Sequence, residues 1–144
     1  MEEDKKKDGL SSPLGDRNFI YLLNPKSGTQ KKDLIVKLIE KETTALNIPF
    51  EILHTNAEGN YEFIKDKIVD KNITDVIIIG GDGTVNQVTN ALKRCNVNFG
   101  IIPIGSGNGL ARAAHIPMKT KAALALMHKW HTIFLQKQHE DCLP

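Results

Sequence analysis

Val76-Ile77-Ile78-Ile79 is uniformly β-branched and runs straight into Gly80-Gly81-Asp82-Gly83-Thr84, and this junction constrains the chain more than any other feature. β-branched side chains pack well on a pleated surface. A strand that is apolar at every position has to be covered on both faces, which is the situation of a central strand in a parallel sheet. The glycines that follow allow a sharp exit and a close approach by whatever lies beyond the strand end.

The rest of the chain repeats this pattern. Phe19 to Leu23 is a second continuous apolar run, ended by the loop Asn24-Pro25-Lys26-Ser27-Gly28. Leu34, Ile35, Leu38, Ile39, Thr43 and Leu46 recur at helical spacing, so an amphipathic helix is expected from Lys31 to Leu46. Pro49 to Leu53 reads as a strand, and Glu58 to Asp70 as a helix with Tyr61, Ile64, Ile68 and Val69 on its inner side. After the glycine turn, Val85, Val88, Thr89 and Leu92 mark a third helix, and Asn98 to Ile104 a fourth strand. Asn108 to His115 is expected as a short helix stopped near Pro117. Lys119 to Lys129 is expected as another, with Ala122, Ala123, Leu126 and Met127 inward. Strands alternating with helices imply right-handed crossovers and an α/β fold around a parallel sheet covered on both sides.

Two segments fall outside this alternation. Residues 1–17 are rich in charge, Ser, Pro and Gly without periodicity and read as a flexible lead-in. Residues 131–144 read as a tail, in which Ile133-Phe134-Leu135 looks like the beginning of a strand and is open to two readings, the start of a missing second domain or a frayed end. A length of 144 residues fits one core. No apolar run approaches the ~20 residues of a membrane span, and the charged N-terminus is not a signal peptide, so a cytoplasmic protein is expected. A net charge of +2 with dispersed lysines argues against nucleic acid as a partner. Cys95 and Cys142 have no metal-ligand spacing, and neither do the five histidines.

In open parallel sheets ligands sit beyond the carboxyl ends of the strands. Three such ends are unusual here: Asn24 to Gly28, Gly80 to Asn86 and Gly105 to Gly109. Glycines expose backbone N–H groups and the next helix adds the positive end of its dipole, so phosphate is the natural ligand. Asp82 places a carboxylate among groups that favour anions, an arrangement that makes sense if it serves a metal or a proton. The structural alternative makes Asp82 the N-cap of a helix from Thr84 to Leu92. There is no Walker A pattern, and neither Gly81-x-Gly83 nor Gly105-x-Gly107 continues into a dinucleotide fingerprint.

Asn24-Pro25-Lys26-Ser27-Gly28, Gly80 to Asn86 and Ile102 to Arg112 together resemble, in order, three signature segments of the diacylglycerol kinase catalytic family, a likeness covering roughly residues 18–130. The resemblance implies a three-layer α/β/α sandwich that binds Mg-ATP, with the β-rich second domain of intact members absent. It implies nucleotide-binding positions at Asn24, Ser27, Gly28, Thr55, Gly80, Gly81, Asp82, Gly83, Thr84, Asn86, Gly105, Ser106, Gly107 and Asn108. Ser106 keeps the hydroxyl of the Thr found in many relatives, whereas Gly109 lacks the carboxylate of their Asp. ATP and Mg²⁺ are the implied cofactors, with Asp82 serving Mg²⁺ indirectly or acting as the base toward a lipid hydroxyl. The implied activity is a lipid kinase of phospholipid metabolism, meeting a diacylglycerol, a sphingoid base or a related acceptor at the membrane surface. The alternative of another class is a truncated or non-catalytic nucleotide-binding module that needs a second domain or partner. An apolar side exposed by the missing domain would favour self-association. Lys26 and Arg112 are further phosphate candidates whose default role is surface charge.

Overall fold

The computed structural model describes residues 16–26, 32–56, 58–104 and 107–129. Its elements alternate as the periodicity predicts: β1 Phe19–Leu23, α1 Lys32–Ala45, β2 Phe50–His54, α2 Glu62–Asp70, β3 Asp75–Gly80, α3 Asp82–Ala91, β4 Asn98–Pro103, α4 Gly109–Ala113 and α5 Thr120–Lys129. The four strands form one parallel sheet in the order β2-β1-β3-β4.

Side-chain alternation along the strands splits the core into two layers. Phe19, Tyr21, Leu23, Ile77, Ile79 and Ile102 face Ile35 and Ile39 of α1 and Ala123, Leu124 and Met127 of α5. Ile20, Leu22, Val76 and Ile78 face Ile64 and Ile68 of α2 and Val85, Val88 and Leu92 of α3. Strands β1 and β3 are buried at every position, which is why they read as unbroken apolar runs, whereas β2 lies at an edge and is half-buried. The result is a three-layer α/β/α arrangement.

Several sequence expectations shift by part of a helical turn. On α1 the inward stripe is Ile35, Ile39 and Thr43, while Leu34, one residue and about 100° off it, is 61% exposed. Leu46, expected on the inner face, lies beyond the helix end and is exposed. Ile64 and Ile68 carry the inner face of α2, and Val69 is 75% exposed. Helix α2 begins at Glu62 rather than Glu58, because the Asn56 side chain closes a turn on Asn60, accepting from its N–H at 2.9 Å and donating to its C=O at 2.8 Å. On α5, Leu124 is buried in place of Ala122, which faces outward.

Arg17, placed by its composition in the lead-in, is buried. Its guanidinium donates to the carbonyls of Met127 and His128 at the end of α5, pairs with Asp75 at 3.2 Å and lies over the Phe19 ring. A buried charge is tolerable only with such partners. The remainder of the lead-in apart from Asp16, the tail 131–144 and the strand candidate Ile133-Phe134-Leu135 lie outside the described residues. Among the described residues no helix is long and apolar enough to cross a membrane.

Candidate functional site

The chain moves from β1 to one neighbour, β2, and then back past it to the other, β3, so the strand order reverses between β1 and β3. A crevice opens at such a switch point, beyond the carboxyl ends of both strands. Asn24 leaves β1 there and Gly80 ends β3 there. The Asn24 side chain braces the crevice: its Nδ2 donates to Thr84 Oγ1 at 2.6 Å and its Oδ1 accepts from the Lys26 N–H at 2.9 Å. Thr84, in the first turn of α3, is held against the strand end because Gly80 has no side chain; a Cβ at Gly80 would sit 3.0 to 3.1 Å from three Thr84 side-chain atoms.

The crevice is an open cleft of about 410 Å³ lined by Asn24, Pro25, Lys26, Thr55, Asn56, Gly83, Thr84 and Gln87. Thr55 is fixed by its N–H, which donates to the Leu23 carbonyl at 3.1 Å. Gly83 leaves its part of the wall bare, for among the described residues nothing beyond its own helix backbone and chain neighbours lies within 4 Å of where its Cβ would be. The first N–H groups of α3 have no intrahelical acceptors. Among the described residues the cleft thus combines neutral donors, one lysine and the positive end of a ten-residue helix.

Asp82 does not cap its own helix. The N-cap of α3 is Gly81, in extended conformation, and Asp82 is the first helical residue. Its carboxylate instead reaches α4, where Oδ2 accepts from the Gly109 N–H at 2.8 Å and Oδ1 from the Leu110 N–H at 3.1 Å. The Gly109 bond, then the Leu110 bond, hold its carboxyl below the ordinary carboxylate range. Asp82 therefore ties the second glycine segment to the third and is ionised at neutral pH. The backbone N–H of Gly109 is what this contact uses. Arg112, a candidate phosphate ligand by sequence, donates from Nε to the Gly107 carbonyl at 3.0 Å and shapes the same loop. Asn108 is buried at a left-handed φ of 55° with its amide against Met118.

Asn86 is exposed and lines a separate hollow with Thr89, Asn90, Lys93 and Phe99 on another flank of α3, away from the cleft. Gly80 and Gly81 build the turn rather than line the cleft, and Gly107 lies beside the Asp82 carboxylate. Ser27, Gly28, Gly105 and Ser106 lie outside the described residues. Sequence reasoning missed Asn56 and Gln87. Gln87 was findable, since it stands four residues after Gly83 and hence on the same face of α3. Asn56 was not, because its place depends on the parallel pairing of β2 with β1. Among the described residues no three His, Cys, Asp or Glu side chains gather to hold a metal ion.

The family match is to the diacylglycerol kinase catalytic domain, over residues 18–137. Diacylglycerol kinases of Staphylococcus aureus strains JH9 and NCTC 8325 / PS 47 are each 30% identical over 115 residues, covering 77% of this chain and 36% of theirs. A crystal structure of a diacylglycerol kinase from Bacillus anthracis str. Sterne superposes with a TM-score of 0.66 at 28% identity, covering 78% of this chain and 40% of that one. The chain thus spans little more than a third of the length of these curated relatives.

Proposed function

The chain belongs to the diacylglycerol kinase catalytic domain family, and on that premise we propose that it supplies the nucleotide-binding part of an ATP-dependent lipid kinase. In this reading Mg-ATP is the phosphoryl donor and a lipid hydroxyl, from a diacylglycerol, a sphingoid base or a related lipid at a membrane surface, is the acceptor. The observation that carries it is the crevice at the β1–β3 switch point, where Gly83 leaves room for a ligand in front of the first turn of α3.

Phosphoryl transfer depends on positioning and charge neutralisation more than on covalent chemistry. The α3 N–H groups, Thr84 and Lys26 are suited to bind phosphate oxygens, and the Asn24–Thr84 bond braces the two sides of the crevice against each other. With no cluster of protein ligands among the described residues, Mg²⁺ fits here as the companion of the triphosphate rather than as a resident ion. Asp82, ionised and anchored to α4, is better suited to hold the third loop and a hydrated cation than to take a proton.

The test is labelled-phosphate transfer from ATP to a panel of lipid acceptors, run on this chain and on a form extended to the relatives' length. Transfer by the extended form, lost in Asp82→Asn, is the expected result; near-full activity of that variant removes Asp82 from the mechanism. A second reading is a nucleotide-binding module that transfers nothing without a partner. It predicts Mg-ATP binding by this chain without transfer.

A further inference from the structure

The net charge of +2 conceals a division along the chain. Between Asp82 and Glu140 the sequence has no Asp or Glu. Every Lys and Arg from Lys93 to Lys129 is accordingly without an ion-pair partner among the described residues, where the pairs are Arg17–Asp75, Lys65–Glu62 and Glu51 with Lys67 and Lys71. Lys119 and Lys121 flank Thr120, the first residue of α5, and both are exposed. The positive end of a helix dipole disfavours cations, and α5 has no acidic residue in its first turn to offset them. The fold gains nothing from these two charges where they stand.

Helix α4 sets an apolar face beside them. Its start is held by Asp82, and its end closes as a Schellman turn. There the Ile116 N–H donates to the Ala111 carbonyl at 2.9 Å, and the N–H of His115, at a left-handed φ of 61°, donates to the Arg112 carbonyl at 3.0 Å. Ala111 and Ile116 are buried, and Met118 returns against Asn108, the residue before α4, which brings the start of α5 alongside. What α4 turns outward is Leu110, 48% exposed, with Ala113 and Ala114 exposed three and four residues on, along the same helical face. Arg112 is exposed as well.

We propose that α4 and the start of α5 form the face that rests on an anionic bilayer, with Leu110 entering the headgroup layer and Arg112, Lys119 and Lys121 meeting lipid phosphates. A large exposed apolar side chain among unpaired cations suits a negatively charged lipid surface, where basic residues and buried apolar area both contribute. Nucleic acid would use the cations and leave Leu110 idle. The inference rests on the lipid-acceptor reading given above and adds which face meets the membrane; because the Leu110 N–H donates to Asp82, this face brings that carboxylate close to the lipid.

Co-sedimentation of the full chain with vesicles of phosphatidylcholine alone, or of equal parts phosphatidylcholine and phosphatidylglycerol, needs neither nucleotide nor transfer. Binding to the anionic vesicles only, weakened by added salt, is expected. Lys119→Ala with Lys121→Ala weakens it about tenfold or more, and Leu110→Ser about fivefold. The charge-matched pair Lys37→Ala and Lys41→Ala, both exposed on α1, changes it less than about twofold. Thermal unfolding checks that these surface variants stay folded. Equal losses in the α1 and α5 pairs, no preference for anionic vesicles, or a DNA oligonucleotide bound as tightly as the vesicles overturns the inference. So does an assembly between copies that Leu110→Ser dissolves in sedimentation velocity, or vesicle binding that vanishes in the form extended to the relatives' length. If that extended form phosphorylates detergent-dispersed lipid yet ignores anionic vesicles, the inference falls and the kinase reading stands; if it transfers nothing to dispersed lipid, the reading beneath falls too.

Discussion

Gly80 and Gly83 lie three residues apart in one glycine-rich turn, and replacing each by alanine is expected to have opposite effects. A methyl at Gly80 would press on Thr84 at 3.0 to 3.1 Å. Thr84 is β-branched and its hydroxyl is bonded to Asn24 at 2.6 Å, so it cannot rotate away without breaking the brace across the crevice. Overpacking of this kind costs about 1–3 kcal/mol. A methyl at Gly83 meets nothing within 4 Å among the described residues outside its own helix backbone and chain neighbours, and the residue is the second of helix α3. Alanine there gains helix propensity, up to about 0.5–1 kcal/mol, which corresponds to a rise in Tm of roughly 1–4 °C. Yet that same methyl projects into the cleft where phosphate is proposed to rest, and ATP affinity should fall by about tenfold or more. Scanning calorimetry and ATP titration on the two variants decide the matter. A Gly83→Ala chain that is stabilised and binds ATP as well as wild type would refute the placement of phosphate over this glycine, and a lowered Tm would refute the open wall.

Two further outcomes concern the side of the fold away from the cleft. His128 is buried against Phe19, with Nε2 3.3 Å from the Tyr21 hydroxyl, which also bonds Thr43, and with Arg17, Glu42 and Asp75 nearby. Burial first, then the Arg17 charge, lowers its pKa to about 4. Because the unfolded chain binds the proton more readily, the neutral histidine's contribution is intact above about pH 6.5 and is lost progressively toward pH 4, by about 3 kcal/mol in all. Urea unfolding of wild type and His128→Gln should therefore diverge in pH slope across this window, and parallel slopes would refute the assignment. Gly100 of β4 lies under α5, where a methyl would overlap Met127 Sδ and stand 2.9 Å from Ile77 Cδ1. Gly100→Ala should cost about 1–3 kcal/mol in urea unfolding, and clearly less when it is introduced into a Met127→Ala background, where the clash is gone.

The order and type of the elements were legible in the chain because two buried strands announce themselves as unbroken apolar runs and the helices as 3.6-residue stripes. The glycine segments marked strand exits for a reason equally local: backbone N–H groups near an anion need the absence of a Cβ. Such signals depend on a residue and its near neighbours. What they could not contain is the strand order β2-β1-β3-β4, which alone decides that Asn24 faces Thr84 and that Asn56 shares a cleft with Gln87. Nor could they show that the Asp82 carboxylate spans 27 residues of sequence to hold Gly109, or that Arg17, the last residue of a charged lead-in, is buried against the end of α5. These contacts join segments distant in sequence, and only the packed sheet brings them together.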